Sequence, residues 1–598
     1  MTFEGSPDYI IIGGGTSGLV VANRLSENPD TKVLVLEAGK DQTDDYRVKI
    51  PACWLELTNS EADWKYQSIA QETLRGRSIK QPQGKILGGS SAINGQAFIA
   101  PGKPEIDAWA KLGNPGWDWA GLAPSYRKSH TLIPPSDEAT LEHLGIDWID
   151  NEYHGSEGPI KVSFPGVKEN ILCKAWIETF QSLNMVTTAD PFSGTSIGGY
   201  SNNASVDPES KVRSYAGSAY GVPARERPNV RIVTDAQVQK IILSETGSGA
   251  LKATGVQAVV EGKKEEFTTL REVILAAGVY NTPKLLELSG IGGKKLLEGH
   301  GIPVRVDLSG VGENLQDHLM TGLSYEVVGD VVHTGDPLLR GDRKALDQAQ
   351  FLYQQHKAGP LTIGGMQSHA FMPTPDASAL LDKFPRPQKA TDGEYYDIIR
   401  SILEAPNGTS GAWLMFLAQT NFHDAGKSFV GTDLKPENYI SLGCIQSHPF
   451  SRGTTHISSA DTNAMPDINP GYLTHPADLE IFARHLQSLD TTLRPSKHLS
   501  QWLKPDGKRN HEDAFRVGDL EVAKKYVLDT ATSAYHSCGS AAMLPREKGG
   551  VVDPKLVVYG TENLRIVDAS IFPLIPRGNI MSSVYAVAEK AADIIKGL

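Results

Sequence analysis

Short runs of apolar residues predict buried parallel strands in three separate parts of the chain. Two runs lie near the N-terminus at residues 9–12 and 32–36, a third at residues 272–278 ends on a glycine, and a fourth lies at residues 564–568. Strands of a parallel sheet are covered on both faces, so they read as continuous apolar runs. An amphipathic helix is predicted at residues 582–596, where the apolar face holds Val584, Val587, Ala588, Ala591 and Ile595.

Other stretches carry weaker patterns. A strand pair is predicted at residues 230–233 and 238–242. Residues 438–445 and 453–458 are the most strand-like part of a later region, and the turn residues around them favour an antiparallel sheet. Residues 326–410 contain many Gly, Pro and Asp residues with little periodicity, so we expect loops and short helices there.

A glycine-rich turn follows the first predicted strand directly. Gly13-Gly14-Gly15-Thr16-Ser17-Gly18 leads into a predicted helix at residues 19–25, and the second strand ends on Glu37. Glycines let the backbone approach a pyrophosphate, the first N–H groups of the helix face the phosphates, and an acidic residue about 20 positions on accepts from a ribose hydroxyl. An acidic residue also disfavours a 2′-phosphate. The segment therefore favours FAD or NAD over NADP.

Composition and charge limit the possible partners. The 598 residues are 40% hydrophobic and 21% charged, as in ordinary globular proteins of several domains. The formal net charge of -12 disfavours nucleic acid and anionic membranes, because both require a basic surface. No apolar run is long enough to span a bilayer. The four cysteines are dispersed without metal-ligand spacing, so we expect buried free thiols and no metal site.

Several motifs resemble those of the glucose-methanol-choline (GMC) oxidoreductases. One lies at residues 84–94, followed by Phe98, Pro101 and Asp107, and a second lies at residues 278–292. In the second, Val279 stands where the family usually has a small residue. Further matching segments are 312–318, 535–536, 567–570, Asn579 and 588–593. The resemblance spans almost the whole chain, and it implies that the bound dinucleotide is FAD.

The resemblance also implies a fold. It is an α/β fold in which a Rossmann-like FAD-binding domain carries an inserted α+β substrate domain built on an antiparallel sheet. The FAD-binding domain would take residues 1–125, 215–325 and 525–598, and the substrate domain residues 126–214 and 326–524. The interleaving agrees with the parallel strands predicted from three distant segments.

Catalytic residues follow from the same motifs. Oxidation of an alcohol by hydride transfer requires a base for the hydroxyl proton, and the resemblance assigns that task to His536. It assigns Asn579 to orient the alcohol, because an amide hydrogen-bonds the oxygen without exchanging a proton. The alternative for Asn579 is a role in the turn alone. Tyr535 is expected either to shape an apolar substrate pocket or simply to pack.

The residues expected to contact FAD come from the glycine turn and from the matched motifs. They are Gly13, Gly15, Thr16, Ser17, Gly18, Glu37, Ala38, Gly88, Ser90, Asn94, Gly95, Val238, Asp568, Ala569 and Ile580. In some members of the family a histidine at the position of Ile93 is joined covalently to the flavin. Isoleucine has no nucleophilic atom, so we expect non-covalent FAD. Gln83 replaces a frequent arginine and removes one possible pyrophosphate contact.

The resemblance implies a GMC-type alcohol oxidase or dehydrogenase. Such an enzyme would take a primary alcohol, aromatic or allylic, to its aldehyde and pass the electrons to oxygen or another acceptor. A GMC-fold lyase or cyclase that keeps FAD in a non-redox role is the alternative, and a non-catalytic flavin protein is disfavoured by His536. Only eight residues precede the first strand, too few for a signal peptide, so we expect an intracellular location.

Overall fold

The computed structural model describes residues 5–165, 170–187, 189–247, 249–329, 332–421, 430 and 434–598. Its strands, in chain order, are β1 (Tyr9–Ile12), β2 (Val33–Leu36), β3 (Tyr66–Gln67), β4 (Lys80–Gln81), β5 (His130–Leu132), β6 (Ile160–Val162), β7 (Gly198–Ser201), β8 (Val230–Val233), β9 (Ala236–Glu245), β10 (Leu251–Val260), β11 (Lys263–Thr268), β12 (Glu272–Leu275), β13 (Ile291–Gly292), β14 (Val306–Asp307), β15 (Leu319–Glu326), β16 (Ser368–Met372), β17 (Gly411–Phe416), β18 (Tyr439–Gln446), β19 (Thr454–His456), β20 (Asp467–Asn469), β21 (Thr532–Ser533) and β22 (Leu564–Ile566).

The α-helices, in chain order, are α1 (Thr16–Leu25), α2 (Tyr46–Lys49), α3 (Ser90–Ile93), α4 (Lys103–Lys111), α5 (Trp119–Ser129), α6 (Glu138–Leu144), α7 (Ile171–Ser182), α8 (Val222–Arg225), α9 (Gly278–Leu288), α10 (Lys294–Gly299), α11 (Asp336–Leu339), α12 (Arg343–His356), α13 (Ala377–Leu381), α14 (Ala390–Leu403), α15 (Pro476–Ser488), α16 (Lys497–Ser500), α17 (Leu520–Thr530) and α18 (Met581–Lys596). Among the described residues, none of these helices combines the length and the apolar character needed to cross a bilayer.

The first of the two large sheets is parallel and has five strands. Its order is β22-β12-β1-β2-β8, and the two N-terminal strands are buried along their whole length. Three distant segments thus meet in one sheet, as the apolar runs predicted. Helix α1 begins at Thr16 instead of the expected residue 19, because Gly15 already acts as its N-cap. Helix α18 begins one residue before its expected start and packs against α1 and α5.

The predicted pairing of residues 230–233 with 238–242 is wrong. Strand β8 pairs in parallel with β2, whereas β9 belongs to a separate antiparallel sheet of order β11-β10-β9. Asp235 lies between the two strands with φ +51°. This left-handed residue turns the chain out of the first sheet, and a propensity pattern does not reveal such a turn.

The second large sheet is antiparallel and has six strands. Its order is β21-β15-β18-β17-β16-β7, so the antiparallel arrangement predicted for residues 438–445 is confirmed. Residues 453–458 are not part of it, since β19 pairs only with β20 in a small hairpin. Strands β15 and β21 come mainly from segments assigned above to the FAD-binding domain, and the five domain ranges stay predictions.

Residues 326–410 contain more regular structure than expected. They include two 14-residue helices, α12 and α14, and β16 lies inside the six-stranded sheet. In α12 only Ala349 and Tyr353 are buried. A helix with so narrow an apolar face gives a weak periodic signal, so tertiary packing, and not pattern, decides this region.

Two apolar clusters cover the two faces of the six-stranded sheet. One includes Trp413, Leu442 and Phe482 and packs beneath helices α7, α15 and α17. The other, on the opposite face, includes Met320, Leu414 and Ile445. All four cysteines carry free thiols; Cys173, Cys444 and Cys538 are buried, whereas Cys53 is partly exposed.

Candidate active site

A deep cavity lies at the C-terminal ends of the parallel strands. Its wall includes Ile12 and Leu36, the last residues of β1 and β2, and also Met320, Phe416 and Ile445 from β15, β17 and β18. Each sheet therefore supplies one end of the same site. We name them the nucleotide end and the catalytic end. Ligands of open α/β sheets bind at this edge, because the loops after the parallel strands converge there.

The nucleotide end is built largely from backbone. Gly15 is the N-cap of helix α1, and no side chain of the described residues caps this helix. The first N–H groups of the helix therefore face the cavity without a capping partner. Gly89 adopts φ +55°, and a Cβ atom on it would lie 2.7 Å from the Cα of Gly15. Ser17 adds a buried hydroxyl that has no hydrogen-bond partner in the described protein. A close glycine pair, free N–H groups and an orphaned hydroxyl fit a pyrophosphate.

Glu37 occupies the position expected for ribose binding. Its Oε2 accepts the N–H of Gly14 at 2.7 Å and its Oε1 accepts the N–H of Gly39 at 2.7 Å. Burial raises the pKa of Glu37 to about 7, although these two donors oppose the rise. Each carboxylate oxygen keeps a lone pair, so the side chain can still accept from a ribose hydroxyl.

Asp568 joins two of the motifs. It follows strand β22, and its Oδ2 accepts from the Gly278 N–H at 3.0 Å and from the Thr282 hydroxyl at 2.6 Å. Its Oδ1 accepts the N–H of Ser570 at 2.8 Å. The carboxylate thus holds the start of helix α9 against the end of the last parallel strand, beside the cavity.

The wall contains all predicted cofactor residues except Gly18 and Gly88. A Cβ atom added to Gly18 would meet the carbonyl oxygen of Gly13, and one added to Gly88 would meet the ring of Tyr215. These two glycines lie behind the wall and allow close packing there. The residues in the wall are Gly13, Gly15, Thr16, Ser17, Glu37, Ala38, Ser90, Asn94, Gly95, Val238, Asp568, Ala569 and Ile580. Their contacts with FAD stay predictions.

Three departures from the family pattern also lie in the wall. Ile93 is 6% exposed and presents only carbon atoms. Gln83 accepts the hydroxyl of Ser90 at 3.0 Å and so supports the turn within the first motif. Val279 is buried, and its carbonyl oxygen accepts the hydroxyl of Ser540 at 2.5 Å.

The catalytic end brings His536 and Asn579 together. The Asn579 amide nitrogen lies 2.9 Å from His536 Nε2, and both residues line the cavity with Tyr535. Burial lowers the pKa of His536 to about 3. The imidazole is therefore neutral near pH 7 and has a lone pair with which to accept a proton.

An irregular ladder places His536. Residues 316–320 run antiparallel to residues 532–538, with Leu319 opposite Ser533 and Gln316 opposite Cys538. Two residues on one side therefore face four on the other, and Tyr535 takes φ +65° within this bulge. Bulges of this kind redirect side chains next to active sites.

The Asp317 carboxylate fills the gap in the ladder. Its Oδ1 accepts the backbone N–H of His536 at 3.0 Å and that of His318 at 2.9 Å. Its Oδ2 accepts the Ser533 hydroxyl at 2.5 Å and the Tyr472 hydroxyl. One buried carboxylate thus fixes the backbone of two histidines.

His318 lies directly behind His536. The two Nδ1 atoms are 3.1 Å apart, and His318 Nε2 lies 2.8 Å from the Ser447 carbonyl oxygen. Burial, followed by the charges of His536 and His448, holds the pKa of His318 well below its usual value, although the Ser447 contact opposes this. The residue falls within the matched segment 312–318, but the motif alone does not reveal what its ring touches.

Sequence reasoning missed the apolar part of the catalytic end. Trp54, from a 3-10 turn, and Met366, from the loop before β16, complete the wall with Met320, Phe416 and Ile445. These residues come from five separated segments. Strand pairing brings them together, and no local motif marks them.

The comparisons with known proteins agree with this geometry. Residues 7–320 and 449–588 match the family models described as GMC oxidoreductase. A relative from Monascus purpureus, dehydrogenase mpl7, is 32% identical over 98% of this chain and 96% of its own length.

Two solved structures share the fold over nearly their whole length. An FAD-dependent oxidoreductase from Chaetomium thermophilum superposes with a TM-score of 0.86 at 28% identity, covering 99% of both chains. A fungal aryl-alcohol oxidase superposes with a TM-score of 0.83 at 26% identity, also covering 99% of both chains.

Proposed function

The chain belongs to the GMC oxidoreductase family, and from this premise we propose that it oxidises a primary alcohol, aromatic or allylic, to the aldehyde with non-covalently bound FAD. Family membership makes the protein an FAD-binding oxidoreductase that acts on a small molecule and passes electrons to an acceptor. Bound FAD would supply the acceptor for the substrate hydride. The substrate class, the base and the mode of FAD attachment belong to the proposal.

The observation that carries the proposal is the meeting of His536 Nε2 with the Asn579 amide in the cavity wall. An alcohol must lose its hydroxyl proton before its carbon releases hydride readily. His536 is buried and neutral, so it can take that proton. The Asn579 amide would hold the oxygen and stabilise the negative charge that develops on it.

The side chains around this pair favour an apolar substrate. Trp54, Met320, Phe416 and Ile445 line the catalytic end, and Tyr535 adds an aromatic ring next to the base. Such a wall excludes water and gains little from the many hydroxyl groups of a sugar. The structural similarity to a fungal aryl-alcohol oxidase supports the same substrate class.

Anaerobic mixing with candidate alcohols tests the reaction. Benzylic and allylic alcohols should bleach the flavin absorbance, and aldehyde should form in an amount equal to the flavin. Turnover of a substrate while the flavin stays oxidised would refute alcohol oxidation and support a lyase or cyclase. Peroxide release compared with dye reduction then distinguishes oxygen from another electron acceptor.

Acid precipitation tests the mode of FAD attachment. Because Ile93 has no atom that can bond to the flavin, all flavin should leave the polypeptide and remain in the supernatant. Fluorescence that stays with the denatured protein band would show a covalent link and refute this part of the proposal.

A further inference from the structure

We propose that His318 is a positioning residue that fixes the tautomer of His536, so that the proton-accepting lone pair lies on Nε2 and faces the substrate. The proposal rests on the assignment of His536 as the base. It follows from which group donates and which accepts along a row of four hydrogen-bonded groups: the Ser447 carbonyl, His318, His536 and Asn579.

The direction begins at Ser447. A carbonyl oxygen only accepts, so His318 Nε2, at 2.8 Å, carries a hydrogen and donates it. The Ser447 backbone is itself held by the end of strand β18, and its N–H donates to the Ser410 carbonyl oxygen at 3.0 Å. The acceptor therefore has a fixed position.

The charge state of His318 decides the next step. Its side chain is completely buried, and the groups near it are His536, His448 and the neighbouring Asp317. Asp317 accepts from two backbone N–H groups and two hydroxyls, and no contact joins its carboxylate to either imidazole ring in the described structure. Burial without an ionic partner therefore keeps His318 neutral. With its hydrogen on Nε2, the neutral ring has a lone pair on Nδ1.

That lone pair sets the tautomer of His536. The two Nδ1 atoms lie 3.1 Å apart, so His536 Nδ1 must carry the hydrogen that His318 accepts. His536 Nε2 then has the lone pair, and it accepts the Asn579 amide N–H at 2.9 Å. The opposite tautomer would leave two lone pairs facing each other in a buried contact.

Packing excludes a replacement by water. The two imidazole rings are perpendicular, with an interplanar angle of 88° and centroids 5.2 Å apart. The backbone of Gly578 covers the contact, because a Cβ atom there would lie 2.7 Å from His536 Nδ1 and 2.8 Å from His318 Nδ1. His536 is 5% exposed and His318 is not exposed at all. The contact between the two Nδ1 atoms is therefore closed to solvent.

The chemical step is simple in these terms. When the alcohol binds, its hydroxyl replaces the Asn579 N–H as the donor to His536 Nε2, and its proton moves to that atom as the O–H bond breaks. The hydrogen on Nδ1 stays bonded to His318 throughout. The base becomes an imidazolium without any rotation of its ring. A His536 that spent part of its time with hydrogen on Nε2 would be unable to accept the proton during that time.

The test uses three variants of the FAD-loaded full chain. His318→Leu removes the acceptor, whereas His318→Gln offers a carbonyl oxygen to His536 and an amide N–H to Ser447. His130→Leu is the matched control. His130 is completely buried outside the cavity wall, with one ring nitrogen 2.8 Å from the Tyr126 carbonyl oxygen and the other 3.3 Å from His154 Nδ1.

Flavin reduction by a benzylic alcohol is the first readout. We expect His318→Leu to slow reduction by about a hundredfold with little change in substrate affinity, since losing control of the tautomer disables a positioned base. His318→Gln should recover most of the rate, and His130→Leu should reduce at the wild-type rate. Reduction by FAD-replete His318→Leu at the wild-type rate would overturn the proposal.

The second readout does not depend on the reaction. Two-bond 1H–15N spectra of 15N-histidine-labelled protein report the tautomer of each ring, and the His536→Asn variant identifies the His536 signals. Wild type and His318→Gln should show hydrogen on His536 Nδ1, whereas His318→Leu should show it almost entirely on Nε2, because a buried Nδ1–H without an acceptor is costly. Hydrogen on Nε2 in the wild type would refute the proposal even if His318→Leu fails to fold. Should no alcohol reduce the flavin, the proposed function fails while this spectrum still decides the role of His318.

Discussion

The nucleotide end and the catalytic end of the cavity are built by different means. At the nucleotide end, β1, β2 and α1 come from one short segment, and the wall there is largely backbone, with glycines where two turns touch. At the catalytic end, side chains from β15, β17, β18 and two loops surround His536 and Asn579. Where the wall is backbone, an added side chain disrupts it. A wall of side chains can instead be altered one residue at a time. The dinucleotide site is therefore fixed, and the substrate site is adjustable.

The broadest effect is expected at Gly89, whose turn touches the turn at Gly15, because loss of FAD removes all activity. In Gly89→Ala the new Cβ would lie 2.7 Å from Gly15 Cα, so the two turns must separate. We expect the FAD content, measured as the ratio of flavin to protein absorbance, to fall about tenfold or more. A clash of this kind costs about 1–3 kcal/mol, which is lost from the free energy of FAD binding.

Gly76→Ala is the matched control for this change. Gly76 also has a positive φ, +74°, but no atom lies within 4 Å of its added Cβ. It should carry the strain of a positive φ without the clash, and it should keep its FAD. An equal loss of FAD from both variants would show that the positive φ, and not the close approach to Gly15, matters.

The next effect is expected at His536, which separates catalysis from cofactor binding. His536→Ala should bind FAD normally, because the side chain belongs to the catalytic end. Its rate of flavin reduction should fall about a hundredfold or more, the usual contribution of a positioned base. Stopped-flow absorbance under nitrogen measures this rate. Wild-type reduction by the FAD-replete variant would remove His536 from the mechanism.

The same contrast explains which parts of the molecule could be predicted. The turn at Gly13 and the carboxylate of Glu37 lie within one unit of strand, helix and strand, so their relation is local and the sequence reveals it. His536 and Asn579 were found through motifs that resemble a family. The contact of His536 with His318 depends on a bulge in a ladder between residues 218 positions apart, which no local pattern specifies.

The incorrect expectations have related causes. Helix α12 buries only Ala349 and Tyr353, so its periodicity is too weak to recognise. Strand β8 does not pair with β9, its neighbour in sequence, because the chain turns at Asp235. In both cases packing against distant segments decides the structure, and propensity contributes little.

A smaller effect is expected in the adjustable wall. Phe416 ends strand β17 in the cavity, and Phe416→Ala removes an aromatic contact at the catalytic end. We expect kcat/KM for benzylic alcohols to fall about tenfold, while that for small aliphatic alcohols changes little, since a lost apolar contact costs about 1–3 kcal/mol. Steady-state assays across both alcohol series measure the difference.

Phe351→Ala serves as the control for Phe416→Ala. Phe351 lies on α12 and is 57% exposed, so its loss should leave both substrate series unchanged. FAD content should stay at the wild-type level in both variants. Loss of FAD from Phe416→Ala would contradict the separation of the two ends.

The smallest effect is expected outside the cavity, where strand β19 packs against helix α9. His456, on β19, lies 2.7 Å from the buried Glu287 carboxylate of α9 and 3.3 Å from that of Glu313. Burial alone would lower the pKa of His456, but these two carboxylates raise it to about 9. A group whose pKa is raised on folding stabilises the protein fully below its unfolded value of 6.5, and this stabilisation is lost as the pH rises through 9.

The corresponding measurement is urea denaturation of the wild type and His456→Gln from pH 6 to pH 10. Glutamine keeps a hydrogen bond to one carboxylate but has no charge, so the wild type should be more stable by about 1–2 kcal/mol at pH 6, a value reduced by solvent screening of the partly exposed ring. The difference should disappear near pH 10, where His456 is neutral. Because His456 is the group that titrates in the wild type and is missing in the variant, a difference that stays constant across this range would show that packing, and not charge, holds β19 against α9.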